Sequence, residues 1–253
     1  MPDWPAPAHV RAVFTTRAGG VSQEAYSALN LGDHVGDLPA AVAHNRARLA
    51  QAIAARPVFL SQVHGVHTHR LDAGSVDGTV ADACITTERG PACTIMVADC
   101  LPVLLTDRRG RQVAAAHAGW RGLAGQNGQG VLEHVAKAFG PVAPENTEDD
   151  ASELIAWLGP CIGPQAFEVG DEVRAAFVQP YALAADCFIA HGSGKWLADL
   201  PSLARQRLAA CGVRHIYGND GSAKWCTVSN PSRFFSHRRD RVSGRMAACI
   251  WLA

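Results

Sequence analysis

The sequence predicts an α+β fold, a single domain over residues 1–253 with helices packed outside mixed β-sheets. Three observations lead there. Short β-rich runs and amphipathic helical stretches are mixed without strict strand–helix–strand alternation, which favours α+β. No low-complexity linker and no repeat at a fixed period divides the chain. Hydrophobic residues make up 48% of it, enough for a substantial core at this length.

The elements follow in order. Val10 to Thr15 reads as a strand, closed by a turn at Gly19-Gly20. Pro39 to Ala54 has helical spacing, with Val42, Leu49 and Ile53 as its apolar positions. Val58 to Val63 is a short apolar run and reads as a strand closed by His64-Gly65. Thr94 to Ala98 and Val103 to Thr106 are two more, separated by Asp99-Cys100-Leu101-Pro102. Because Pro102 cannot donate to a ladder, Cys100 belongs at a strand end or bend. Val113 to Ala116 forms a strand stopping at His117, and Val131, Leu132, Val135 and Phe139 form a helix ended by Gly140. Asn146 to Ser152 is acidic and reads as a surface loop. Beyond it come a strand over Leu154 to Leu158, then helices over Asp171 to Phe177 and Leu200 to Cys211. Closing strands are expected at His215 to Tyr217, Arg233 to Ser236 and Met246 to Leu252.

Lys plus Arg number 23 and Asp plus Glu 23, a balance that argues against nucleic acid or an anionic membrane as partner. No segment approaches the roughly 20 uncharged apolar residues of a membrane-spanning helix. The first residues, with an acid and two prolines, do not read as a secretory signal, and the eight cysteines then read as reduced thiols of a cytoplasmic protein.

His64, Cys100 and His117 carry the chemistry. A Cys and two His are three ligands with a fourth position open, the arrangement of catalytic zinc. Their separations, 35 and 16 intervening residues, match no short zinc signature, but each falls at the end of an expected strand, where a sheet holds side chains rigidly. The same residues also suit a cysteine hydrolase, with Cys100 as nucleophile and His64 or His117 as base. His67-Thr68-His69 is a lone H-x-H pair, too few for a multicopper cluster, and reads as surface histidines. Arg17, Arg46 and Arg121 are the candidates for holding an anionic group, since a planar guanidinium binds phosphate bidentately; Arg238-Arg239 form a further pair. The remaining cysteines read as structural, Cys161 less clearly so because it lies in a Gly-Pro-rich turn.

Several segments together resemble the YfiH-like family, long labelled laccase-domain or polyphenol oxidase proteins and regarded as purine nucleoside phosphorylases. They are Phe14-Thr15-Thr16-Arg17-Ala18-Gly19-Gly20-Val21-Ser22, Leu29-Asn30-Leu31-Gly32, Asn45-Arg46, Gln62-Val63-His64-Gly65 and Ala98-Asp99-Cys100-Leu101-Pro102-Val103. His117-Ala118-Gly119-Trp120-Arg121-Gly122, Gly159-Pro160-Cys161-Ile162-Gly163, Cys226-Thr227, Phe234-Phe235-Ser236 and Gly244-Arg245-Met246 complete the match, which covers nearly the whole chain. The resemblance implies paired mixed β-sheets with helices packed outside, and His64, Cys100 and His117 as zinc ligands, with copper the less favoured ion. It implies phosphorolysis of adenosine, inosine or guanosine to free base and ribose 1-phosphate, with methylthioadenosine cleavage and adenosine deamination as further activities. Purine nucleoside and phosphate are the implied partners; monomer and small homo-oligomer stay equally open. The competing readings are a copper-dependent polyphenol oxidase and a hydrolase editing cell-wall muropeptides. The chain departs from the family pattern at Gly125 to Gln129, an insertion able to alter substrate access, at the enlarged loop Thr147 to Glu153, and at Ser243.

Overall fold

The computed structural model describes residues 1–140 and 153–253, so the acidic stretch 146–152 lies outside the described residues. Two β-sheets face one another. The first has four strands in the order β1 (Val10–Phe14), β13 (Met246–Leu252), β5 (Pro91–Val97) and β2 (Arg56–Phe59); only β2 and β5 run parallel. The second has six: β12 (His215–Gly218), β8 (Leu154–Leu158), β6 (Leu101–Asp107), β7 (Val113–Ala118), β4 (Ala83–Thr86) and β3 (Thr68–Arg70). Both are mixed. Side chains alternate across each strand, so one strand serves two layers. In β13, Met246, Ala248 and Ile250 join Ile95, Val97, Leu104, Ala115 and Trp157 between the sheets, while Ala247, Cys249 and Trp251 face outward. A strand covered on both faces needs apolar residues at nearly every position, which is why Met-Ala-Ala-Cys-Ile-Trp-Leu is legible.

Helices cover the outer faces. α1 (Pro39–Ile53) lays Leu49 and Ile53 against the four-stranded sheet and also buries Val42 and Asn45. Asn45 accepts the Val21 N–H and donates to Ser22, Ala28 and Asn30, tying the N-terminal loops to the helix. α3 (Val131–Ala138), α4 (Asp171–Val178) and α5 (Leu200–Ala210) lie over the six-stranded sheet, with a small antiparallel sheet in the order β10 (Phe188–Ala190), β11 (Lys195–Ala198), β9 (Glu168–Gly170). The result is helix, sheet, sheet, helix in one packed body. Among the described residues no helix is long and apolar enough to cross a membrane.

Three expectations are corrected. The strand expected over Val58 to Val63 is β2 and ends at Phe59, so His64 lies in the following loop rather than at a strand end. Arg233 to Ser236 is turn and loop, with Phe234 and Phe235 buried as anchors; it leads into α6 (His237–Asp240), which Ser236 caps by accepting the Arg239 N–H. The 125–129 insertion folds back on itself through a Gln126–Gln129 bridge and is tied by Arg207 to the Gly128 carbonyl. It packs near Pro180 and Tyr181, and none of its residues lines the cavity described next.

Candidate metal and active site

His117 sits in β7, one residue before its end, opposite Pro102 in β6. Cys100 directly precedes β6, so proline's missing N–H falls near a strand start where it is tolerated. His64 comes from the loop after β2 with φ of 59°, a left-handed conformation that costs energy for a residue with a Cβ. What holds it there is Asp82, fully buried at the edge of β4. Its carboxylate accepts the N–H groups of Val63 at 3.2 Å, His64 at 2.9 Å and Gly65 at 2.6 Å. The same carboxylate lies 2.8 Å from Nδ1 of His117, and the Asp82 carbonyl accepts the His117 N–H at 2.7 Å. One acid therefore fixes two of the three residues. With Nδ1 engaged by Asp82, Nε2 is the His117 nitrogen that a metal would take, displacing the proton held opposite Cys100.

The three side chains converge. Cys100 Sγ lies 3.7 Å from His64 Nε2, the His64 and His117 rings are 4.7 Å apart, and the candidate ligand atoms all fall within 4.8 Å of one another. Among the described residues this is the one group of Cys, His and acidic side chains able to hold a metal ion, and His67 and His69 are not in it. Burial pushes the Cys100 thiol up, but His117 and then His64 outweigh it and bring it down to about 6. Burial likewise pulls His117 down, and Cys100 and Asp82 overcome this to raise it to about 9. For Asp82 too, burial is outweighed, by His117 and the Gly65 N–H, and its carboxyl lies below the ordinary value. At neutral pH the cysteine is a thiolate, the form that ligates metals.

Gly119 makes the convergence possible. A Cβ there would stand 2.7 Å from the His64 ring and 3.0 Å from Cys100 Sγ. In Gly119→Ala protein the two ligands are pushed apart, and metal affinity is expected to fall ~10–100-fold, the range for disturbed ligand orientation. A chelator-competition titration measures this; affinity equal to the parent's would disprove the crowding argument.

The three residues open into a cavity of about 450 Å³. Arg121 lines it, its guanidinium stacked 4.3 Å over the Trp120 ring. Arg46 does not line it. Its guanidinium bonds the Leu31 carbonyl, faces Asp33 and Asp77 at 3.1 and 3.3 Å, and stacks on Phe59. Arg17 is also elsewhere, bonded to the Ser27 and Pro231 carbonyls. Asp82, Arg241 and His237 were not among the candidates legible in the sequence; of these, the last two line the cavity. An acid inside the apolar run Ala81-Asp82-Ala83-Cys84-Ile85 was the available signal for Asp82, since burial demands partners. Arg238 lines the cavity whereas Arg239 turns back onto the Thr227, Val228 and Phe234 carbonyls. Cys161 is buried away from solvent, takes a hydrogen bond from Asn219, and burial pushes its thiol up. Its place is structural.

The family model described as multi-copper polyphenol oxidoreductase laccase matches residues 11–253. The chain belongs to this family. Within it, a protein named purine nucleoside phosphorylase from Pseudomonas aeruginosa is 50% identical over 99% of this chain and 97% of its own. Purine nucleoside phosphorylase YfiH of Escherichia coli is 48% identical over 100% and 98%. A solved structure from Neisseria meningitidis superposes with a TM-score of 0.88 at 47% identity, covering 99% of this chain and 97% of that one. YlmD from Geobacillus stearothermophilus does so with 0.82 at 31% identity, covering 97% and 92%. The YfiH-like resemblance is thereby borne out over the full length.

Proposed function

We propose that this chain is a zinc-dependent purine nucleoside phosphorylase, cleaving adenosine, inosine or guanosine with phosphate to free base and ribose 1-phosphate. The observation that carries the reading is the pair of relatives bearing that name, 50% and 48% identical over nearly the whole of both chains. The donor set supports zinc. With Zn–S of about 2.3 Å, Zn–N of about 2.0–2.1 Å and tetrahedral angles, the sulfur–nitrogen edge is about 3.6 Å. Cys100 Sγ and His64 Nε2 already stand 3.7 Å apart. A polyphenol oxidase needs several coppers on many histidines, and the described residues offer one three-ligand group.

Zinc at this position supplies Lewis acidity at the cavity wall when bound. The chain's own residues do the rest. Asp82 orients His117 and the His64 backbone, and the cavity beside them has room to hold a nucleoside against these residues. Cavity arginines hold the phosphate, whose oxygen forms the new bond to C1′ as the C1′–N9 bond breaks. The electron pair leaves with the purine, which takes up a proton. Cleavage of methylthioadenosine uses the same bond change; deamination of adenosine is a separate side activity of the same site. The eight cysteines are free thiols, which suits a reducing compartment, and we place the enzyme in the cytoplasm.

The test is an adenosine assay with and without phosphate on protein of known metal content, products separated by chromatography. Adenine and ribose 1-phosphate that appear only with phosphate are expected, with about one zinc per chain. Inosine alone would leave a deaminase; no turnover of nucleoside would shift the weight to muropeptide hydrolysis.

A further inference from the structure

We propose that Arg121 and Arg241 form the phosphoryl-binding subsite of the cavity, the place where inorganic phosphate sits for attack. The inference rests on the phosphorylase reading and assigns residues to the half of the substrate pair that the His/Cys/His group does not address. Four guanidiniums line the cavity: Arg121, Arg238, Arg241 and Arg245. Two of them are spoken for. Arg245 turns its head onto the Ser243 and Gly244 carbonyls, and Arg238 donates to the Glu168 carbonyl. Among the described residues the guanidiniums of Arg121 and Arg241 have no carboxylate or carbonyl partner, although both lie in a cavity with other cations. The single acid lining it, Asp99, is already taken: its oxygens accept the Thr227 hydroxyl at 2.5 Å and the Arg238 N–H at 2.7 Å. The cavity is thus a concentrated positive field with two unused forks, which a dianionic phosphoryl group satisfies.

The backbone around both arginines is built to present them. Arg121 sits over the Trp120 ring within the short helix α2 (Trp120–Ala124), which starts directly after Gly119 at the metal group. Arg241 ends α6 with φ of 62°, an unfavourable conformation held by its N–H on the His237 carbonyl at 2.9 Å. That segment is fastened from behind by Arg239, through the Thr227, Val228 and Phe234 carbonyls. The anchoring arginine lets its neighbours project into the cavity.

Zinc-loaded protein is titrated with inorganic phosphate by calorimetry, the parent beside Arg121→Ala, Arg241→Ala and Arg48→Ala, the last an exposed α1 residue outside the cavity. Phosphate binding is expected to weaken at least roughly tenfold in each cavity variant, the loss of a charge-assisted hydrogen bond, and to stay as in the parent in Arg48→Ala. In turnover the KM for phosphate rises in parallel while that for adenosine does not. Phosphate affinity unchanged in both cavity variants, at the parent's metal content and melting temperature, would overturn the assignment, as would a parent that binds no phosphate. Repeating the titration with adenosine 5′-phosphate separates free phosphate from a phosphoryl group carried by the nucleoside. Losses confined to that nucleotide would also overturn it. Phosphate binding that depends on both arginines in a protein with no phosphorolysis would instead retire the phosphorylase reading and leave the subsite standing.

Discussion

In Cys100→Ala protein, bound zinc is expected to be lost and phosphorolysis to fall by at least roughly 10³-fold, the scale of several kcal/mol of charge stabilisation. The fold should survive, because Cys100 is half-buried at the rim of the inter-sheet core and its truncation costs about 1 kcal/mol. Metal analysis, turnover and thermal melting on the same preparation check the three parts. A cysteine hydrolase would also die with this substitution, so the parent protein needs a companion experiment. Stripped with a chelator and then given zinc, a metal enzyme loses and regains activity, whereas a Cys100 nucleophile keeps working without metal. A zinc-free Cys100→Ala protein that still releases base would end the metal hypothesis. The geometry leans toward metal: His64 and His117 both face the sulfur, and a hydrolase needs only one base.

The chemistry was legible where single residues had no bland explanation, and the fold where burial is two-sided. β8 and β13 run over the residues expected, because a strand covered on both faces must be apolar throughout. The strands β3, β4, β9, β10 and β11 were missed; each is three or four residues long, too short for a pattern to develop, and all but the fully buried β4 are partly exposed. Phe234-Phe235 looked like a strand because aromatic pairs favour sheets, yet the two rings are buried as plugs below a loop. At the site, His64, Cys100 and His117 could be picked from residue type and from the motifs they sit in, although their spacing matches no short zinc signature. Arg46 could be picked only by residue type, and type does not reveal that Asp33 and Asp77 already face it. Arg241 needed the opposite information, a cation without a partner. Partnership is a tertiary property, and one sequence does not contain it.

Asp82 shows the same limit from the other side and leads to the last prediction. Its carboxylate serves four donors at once: three backbone N–H groups around His64 and Nδ1 of His117. Asparagine has the same shape but only one acceptor oxygen. In Asp82→Asn protein the new NH2 group must face either a backbone N–H or the His117 ring. Facing the ring, it turns Nδ1 into an acceptor and moves the imidazole proton to Nε2, the nitrogen a metal would need. Facing the loop, it leaves a buried N–H unsatisfied and releases the left-handed His64. Zinc affinity is therefore expected to drop ~10–100-fold, and the metal-free protein to lose about 1–3 kcal/mol of stability. Chelator competition measures the first and denaturant unfolding the second. Both must move together, because one carboxylate holds the fold of the loop and the tautomer of the ligand. A variant that lost stability but bound zinc as tightly as the parent would reduce Asp82 to a loop anchor. One that lost zinc without losing stability would make it a tautomer switch alone.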